Sequence, residues 1–385
     1  MGQTVSSIVK NHFQGQEPPC FVSMGIVMLQ EIHLPSRLVE YDVPGGAGLY
    51  ATFGARLFKP GARAKDVGYL LVVGRDFPYP LFAKIKSWNI TLDVHYNGEE
   101  PCTRARVEYR MSNIFRKIQT YITPPLEPTA LNLDKSILLK TKSFHLLGRP
   151  SEVRKLVLNI LRMRAEVGME RPLIVWEPDA AGCHPDNLEH HFNMFLLVDV
   201  FSPSYEALYC LTTEPRDRIP FTRQLVQQQV TQFLDVGVGA ILKDMVVVRC
   251  GHRGCYYWRD KDDNGWVRPV FTHGHPKFID PTGSGSAFLG AFTVGLLETD
   301  HLRAACLRGQ VAASFAVEQY GPPEKSRRYK LIEHPYRLTR KELWNDNDPI
   351  SRLENFARET RNDFVDFHFG VVDVSSGMKR IEDIE

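Results

Sequence analysis

The chain has 385 residues, 43% hydrophobic and 24% charged, which is the composition of a soluble, well-cored protein and excludes a disordered one. Single cores stop growing near ~250–300 residues, so this length implies one large α/β domain with additions or two ordinary domains. A net charge of +2 supplies no general field for a phosphate backbone, which argues against direct nucleic-acid binding. The longest apolar run, Ala287–Leu297, is too short for a transmembrane helix, which needs ~20 residues.

In chain order, residues 1–20 read as a polar, flexible tail, and Cys20–Ile32 as a buried strand. The glycine turn Pro44-Gly45-Gly46-Ala47-Gly48 runs directly into a small-residue helix over 49–57. Val67–Gly74 is a strand and Pro80–Trp88 a helix. Cys102–Arg110 alternates apolar with charged residues, which predicts a half-exposed strand in a small separate layer. Strands and helices then alternate. Ser143–Leu147, Leu173–Trp176, Leu196–Phe201 and Met245–Cys250 read as strands. Between them, Glu152–Val167, Pro185–Phe195 and Phe221–Leu234 read as helices. Cys255–Trp266 resembles a hairpin, and Thr282–Glu298 and Asp300–Gln319 are two apolar helices. This alternation predicts a mainly parallel sheet covered on both faces. From 326 to 385 the chain is polar and reads as a C-terminal extension, a surface open to a protein partner.

The seven cysteines are scattered, with no CxxC pair, and no secretory signal precedes them, so reduced thiols and a cytoplasmic location are expected. Met1-Gly2-Gln3-Thr4-Val5-Ser6 fits the N-myristoylation template at Gly2, although a frayed polar tail is the commoner origin of such a match. The sequence contains no P-loop, no H-E-x-x-H and no G-x-S-x-G. Cys183, His184, His190 and His191 cluster in sequence, but they suit a solvated helix face better than a metal site.

The informative segment is Asp280-Pro281-Thr282-Gly283-Ser284-Gly285-Ser286, followed by the apolar Ala287-Phe288-Leu289-Gly290. A Thr-Gly-x-Gly turn that opens a helix converges backbone N–H groups at a helix N-terminus, which is an anion site fit for phosphate. The same turn also reads as a core helix capped by Thr282.

That segment resembles the C-terminal signature of the PfkB (ribokinase-like) family of small-molecule kinases. Further segments follow the family's order. Pro44-Gly45-Gly46 resembles the substrate-binding glycine pair, and Pro101–Arg110 the lid strand. Trp176-Glu177-Pro178, Asp199–Pro203, Arg249–Gly254 and the helix Val311–Glu318 fill the remaining places. The Trp-Glu-Pro and Asp-Pro-Thr-Gly versions look most like a fungal branch of the family. The resemblance implies a three-layer α/β/α fold over 21–325, with a mainly parallel central sheet and a small β lid built near 25–42 and 91–122. It implies ATP and Mg²⁺ as cofactors, a monovalent cation held by Asp280 and Thr282, and a small-molecule substrate at Gly45 and Gly46. Gly251, Gly254 and Thr282 would contact the nucleotide, and Gly283, Ser284 and Gly285 the transferred phosphate.

Three polar positions depart from the family pattern. The family's Asp after the last signature glycine, which takes the proton from the substrate hydroxyl, is Ser286 here. Its Asn-x-x-Glu, which organises Mg²⁺, falls on Ser204-Tyr205-Glu206-Ala207, with Glu206 one place away. The Asn after the glycine pair is matched by Tyr50. Losing a general base costs 10²–10⁴-fold. His273 and His275 precede the turn as candidate replacements, and Glu177 follows a strand where doubly wound folds bind ligands. Arg104 and Arg116 are cations near the lid. The resemblance therefore implies a phosphotransferase acting on a hydroxyl of a sugar-like or nucleoside-like molecule. Its rivals are a pseudokinase that acts by interaction and a repurposed enzyme of specialised metabolism on the same scaffold.

Overall fold

A computed structural model describes residues 16–34, 36–110, 113–213, 219–234, 245–334 and 337–361. The myristoylation template at Gly2 lies outside them. The central sheet has nine strands, taken here in chain order. These are β1 (Phe21–Ser23), β4 (Val67–Val73), β5 (Thr91–Tyr96), β8 (Ser143–Gly148), β9 (Leu173–Pro178), β10 (Val200–Phe201), β11 (Met245–Arg249), β12 (Cys255–Trp258) and β13 (Asn264–Val267). Spatially the order is β13-β12-β11-β10-β9-β8-β1-β4-β5. All neighbours from β5 to β11 are parallel, and the last two pairings are antiparallel.

Successive residues on these strands feed opposite cores. Val175, Val200 and Val247 face one cluster, while Trp176, Phe201 and Val248 face the other. That is why the strands read as unbroken apolar runs. The first cluster is covered by α1 (Ala47–Leu57), α2 (Tyr79–Ser87), α7 (Ser284–Thr299) and α8 (Leu302–Ala316). The second is covered by α3 (Pro150–Glu166), α4 (Leu188–Met194), α5 (Tyr205–Thr212) and α6 (Arg223–Leu234).

The expected single strand Cys20–Ile32 is two strands. The chain bends at Gly25, whose main chain lies so close to Gly48 that a Cβ there would stand 2.4 Å from the Gly48 nitrogen. Beyond the bend, β2 (Met28–His33) leaves the central sheet and joins β3 (Val39–Gly45), β6 (Arg104–Arg110) and β7 (Asn113–Tyr121). This lid has the order β3-β2-β6-β7, and Ile32, Val43, Val107 and Tyr109 form its own small core. The strand expected over Leu196–Phe201 is reduced to Val200–Phe201, because Leu197 closes a turn onto the Met194 carbonyl.

The polar C-terminal segment is not detached from this body. It forms the hairpin β14 (Lys325–His334) and β15 (Arg337–Trp344), then α9 (Pro349–Arg361). Trp344 is fully buried against Phe53 and Trp88, and Leu353 and Phe356 join the same core. Arg56, buried in the last turn of α1, donates from Nη2 to both carboxylate oxygens of Glu342, at 2.7 and 2.9 Å. A few large apolar side chains inserted into a charged segment are enough to anchor it, and average composition does not reveal them.

Candidate functional site

Helix α7 begins at the C-terminal edge of the sheet. Gly283, not Thr282, is its N-cap, with φ +76°. A Cβ at Gly283 would stand 2.1 Å from the ring of Tyr50, so both the backbone angle and the packing demand glycine. Tyr50, at the expected Asn position, is therefore the floor beneath the turn. Ser284 closes the turn by donating from its N–H and its hydroxyl to the Pro281 carbonyl, at 3.2 and 2.7 Å. Gly285 and Ser286 follow in the first helical turn, where N–H groups have no intrahelical acceptor.

Asp280 and Thr282 face the lid. The Asp280 carboxylate accepts from the Thr282 N–H at 2.9 Å and from the Tyr109 hydroxyl, while Thr282 Oγ1 also contacts Tyr109. Tyr109 comes from β6, so the lid is tied directly to the signature turn; nothing in the sequence marks that residue apart from its neighbours on the strand. Asp280 Oδ2 is buried and has no hydrogen-bond partner among the described residues.

Across the turn lies an open cleft lined by Arg249, Gly251, Gly254, Phe271, Ser284 and Gly285. Gly251 and Gly254 have φ +54° and +94° and carry the turn between β11 and β12. Phe271 stacks on His275 at 4.2 Å, and Arg352 of α9 lies over Phe315 at 3.7 Å and over Phe271 at 5.5 Å. The C-terminal helix thus braces one wall of the cleft. His275 accepts from the Lys277 N–H and His273 packs on His252 and Phe278, so both histidines serve this wall.

At the base position, Ser286 Oγ donates to Glu177 Oε2 at 2.9 Å. The same oxygen accepts from His145 Nε2 at 3.0 Å, and Glu177 Oε1 accepts from Arg249 Nη1 at 2.7 Å. Since a carboxylate only accepts, His145 Nε2 is the donor here, and its Nδ1 pairs with the Ser23 hydroxyl at 3.1 Å. Burial alone would raise the Glu177 carboxyl, but Arg249, His145 and Ser286 outweigh it and bring its pKa down to about 2. Arg249 also lies over Gly285, where a Cβ would stand 2.1 Å from Nη1.

Gly45 ends β3 and Gly46 is the N-cap of α1. A Cβ at Gly46 would meet the Ile26 carbonyl at 2.3 Å, and one at Gly45 would meet Gln30 Oε1 at 2.1 Å. Gln30 is buried and its Oε1 has no hydrogen-bond partner among the described residues, an acceptor that the sequence pattern does not disclose. Arg104 pairs with Asp42 at 2.6 Å and Asp76 at 3.1 Å, and the Arg116 side chain lies outside the described residues. Glu206 lies half-buried on α5; burial raises its carboxyl, with Arg253 and Arg249 opposing. Among the described residues no group of three or more His, Cys, Asp or Glu side chains stands ready for a metal. Nor is any described helix long and apolar enough to cross a membrane.

A family profile described as pfkB family carbohydrate kinase matches residues 31–327. The chain belongs to that family. Two fungal relatives extend over most of it. An uncharacterized protein of Schizosaccharomyces pombe is 26% identical over 353 residues, 87% of this chain and 92% of that protein. Protein MAK32 of Saccharomyces cerevisiae is 26% identical over 358 residues, 88% of this chain and 92% of its own length. Among solved structures, a ribokinase from Giardia lamblia superimposes with a TM-score of 0.60 at 17% identity, over 80% of this chain and 95% of that one. Adenosine kinase from Schistosoma mansoni in complex with 2-fluoroadenosine gives 0.62 at 12%, over 81% and 98%. A ribokinase-type protein from E. coli in complex with ATP and Mg²⁺ gives 0.55 at 18%, over 79% and 94%. At these identities the structural matches show the shared fold.

Proposed function

We propose that this chain is an ATP-dependent phosphotransferase acting on a hydroxyl of a small sugar-like or nucleoside-like molecule. The observation that carries the reading is the start of α7, where Gly283 aims first-turn amides at a cleft that they share with Arg249 and the Gly251–Gly254 turn. Phosphoryl transfer depends chiefly on positioning and on neutralising charge, which amides at a helix N-terminus and the Arg249 guanidinium both supply. Mg²⁺ is usually held by one or two carboxylates together with substrate phosphates, and Glu206 fits that role because a cation would offset the burial that raises its carboxyl. For a monovalent cation Asp280 would offer Oδ2, because Oδ1 already accepts from Tyr109 and Thr282.

Thermal unfolding with and without ATP–Mg²⁺, followed by ADP release with ribose, inositols and adenosine as acceptors, tests this reading. Stabilisation by nucleotide together with acceptor-dependent ADP release supports it. The pseudokinase reading draws on one observation, the Arg249–Glu177 pair seated over Gly285 beside a serine in the base position. Nucleotide binding with no turnover for any acceptor is its signature.

A further inference from the structure

We infer that Glu177 supplies the proton acceptor that helix α7 lacks, and that the Ser286 hydroxyl connects it to the substrate. This rests on the phosphotransferase reading. A lone serine is a poor base, but Ser286 is not alone, because its proton is already committed to Glu177 Oε2 at 2.9 Å. That commitment leaves the Ser286 lone pairs to accept from an incoming hydroxyl. The two carboxylate oxygens divide the work. Oε1 is held by Arg249 at 2.7 Å, and Oε2 faces His145 and Ser286. His145 is in turn held by Ser23, so the carboxylate is fixed from two sides, by Arg249 and His145, and keeps one line toward α7. Relative to the family pattern, the carboxylate has moved from the helix to the end of β9, 109 residues earlier in the chain.

The step balances as follows. The substrate oxygen attacks the γ-phosphorus and forms the new P–O bond. The bond from that phosphorus to the β–γ bridging oxygen breaks, and its electron pair leaves with ADP. The substrate hydroxyl proton passes to Ser286 Oγ while the Ser286 proton passes to Glu177 Oε2. After product leaves, the proton returns through Ser286 to water. Weak basicity at Glu177 is no obstacle. In a loose transition state the hydroxyl keeps its proton until the oxygen is bonding to phosphorus, when it is far more acidic than a carboxylic acid.

The test uses the full chain, saturating ATP–Mg²⁺, and ADP release with ribose, inositols and adenosine. Ser286→Ala keeps the Arg249–Glu177 pair and removes the connection, so kcat should fall by ~10²–10⁴-fold with calorimetric ATP affinity unchanged. Glu177→Gln should lose a similar factor. Glu177→Gln combined with Ser286→Asp returns the carboxylate to the helix and should recover at least tenfold over Glu177→Gln, which a merely structural Glu177 would not produce. Should Glu177→Gln fail to fold with Arg249 unpaired, Ser286→Ala decides alone. Wild-type kcat in Ser286→Ala, or no rescue in a double variant that still binds ATP, overturns the relay and leaves the phosphotransferase reading standing. A wild-type protein that binds ATP and turns over no acceptor overturns both.

Discussion

Replacing Gly283 by alanine tests how the anion turn is built. The residue stands at φ +76°, where a side chain costs roughly 1–2 kcal/mol. Its Cβ would lie 2.1, 2.2 and 2.3 Å from three ring carbons of Tyr50. Tyr50 is 1% exposed, so its ring has nowhere to go, and forcing an extra methyl into such packing costs about 1–3 kcal/mol. Gly283→Ala should therefore destabilise the chain by roughly 2–5 kcal/mol. Urea unfolding followed by tryptophan fluorescence measures this. Repeating the substitution in a Tyr50→Ala background isolates the clash, because only the backbone part, roughly 1–2 kcal/mol, should remain. An equal penalty in both backgrounds, or one below about 1 kcal/mol in the wild-type background, would refute the claim that Tyr50 is the floor of the turn.

Gly285→Val would set its Cβ 2.1 Å from Arg249 Nη1 and drive the guanidinium from the helix N-terminus, so calorimetry should show lost ATP–Mg²⁺ affinity in a protein that remains folded; undiminished affinity would contradict the phosphate site. Burial pushes the Glu298 carboxyl up, but Arg308, Lys59 and Arg63 outweigh it and set its pKa at about 2. Because this folded value lies below the unfolded one, the contribution is present above ~4.5 and is lost as pH falls toward 2. Glu298→Gln should accordingly remove ~2–3 kcal/mol of the stability lost between pH 5 and 2, and an unchanged acid profile would show that the cluster is inert. Trp344→Ala should cost about 3–5 kcal/mol, measured by denaturant midpoint, because the ring is fully buried against Phe53 and Trp88; a loss under 1 kcal/mol would mean that the C-terminal segment is dispensable.

Where local pattern and tertiary placement agree, the sequence discloses the fold. Met245–Val248 is apolar because both faces of that strand are covered, and the charged alternation of Arg104–Arg110 belongs to a lid with one wet face. The bend at Gly25 has no local signature because its cause, the Gly48 main chain, lies in another element. The anchoring of Trp344 has none either, since one tryptophan among lysines and glutamates does not alter the average. At the site, the glycine turn was legible because its backbone requirement is local. The strained residue is Gly283, whereas Gly285 needs no positive φ and is small because Arg249 lies on it. Glu177 was visible as a carboxylate at a strand end. Its engagement with Ser286, His145 and Arg249 was not, because the four side chains come from different parts of the chain and meet only in three dimensions. Tyr109 and Gln30 carried no signal at all, being one tyrosine and one amide on lid strands.

The most direct test of the central claim is ADP release by the purified full chain with ATP–Mg²⁺, measured against ribose, inositols and adenosine and compared with the acceptor-free rate. Phosphoryl transfer to a small hydroxyl compound predicts release that rises and saturates with at least one of these acceptors. ATP–Mg²⁺ that binds while release stays at the acceptor-free rate for every acceptor would contradict it.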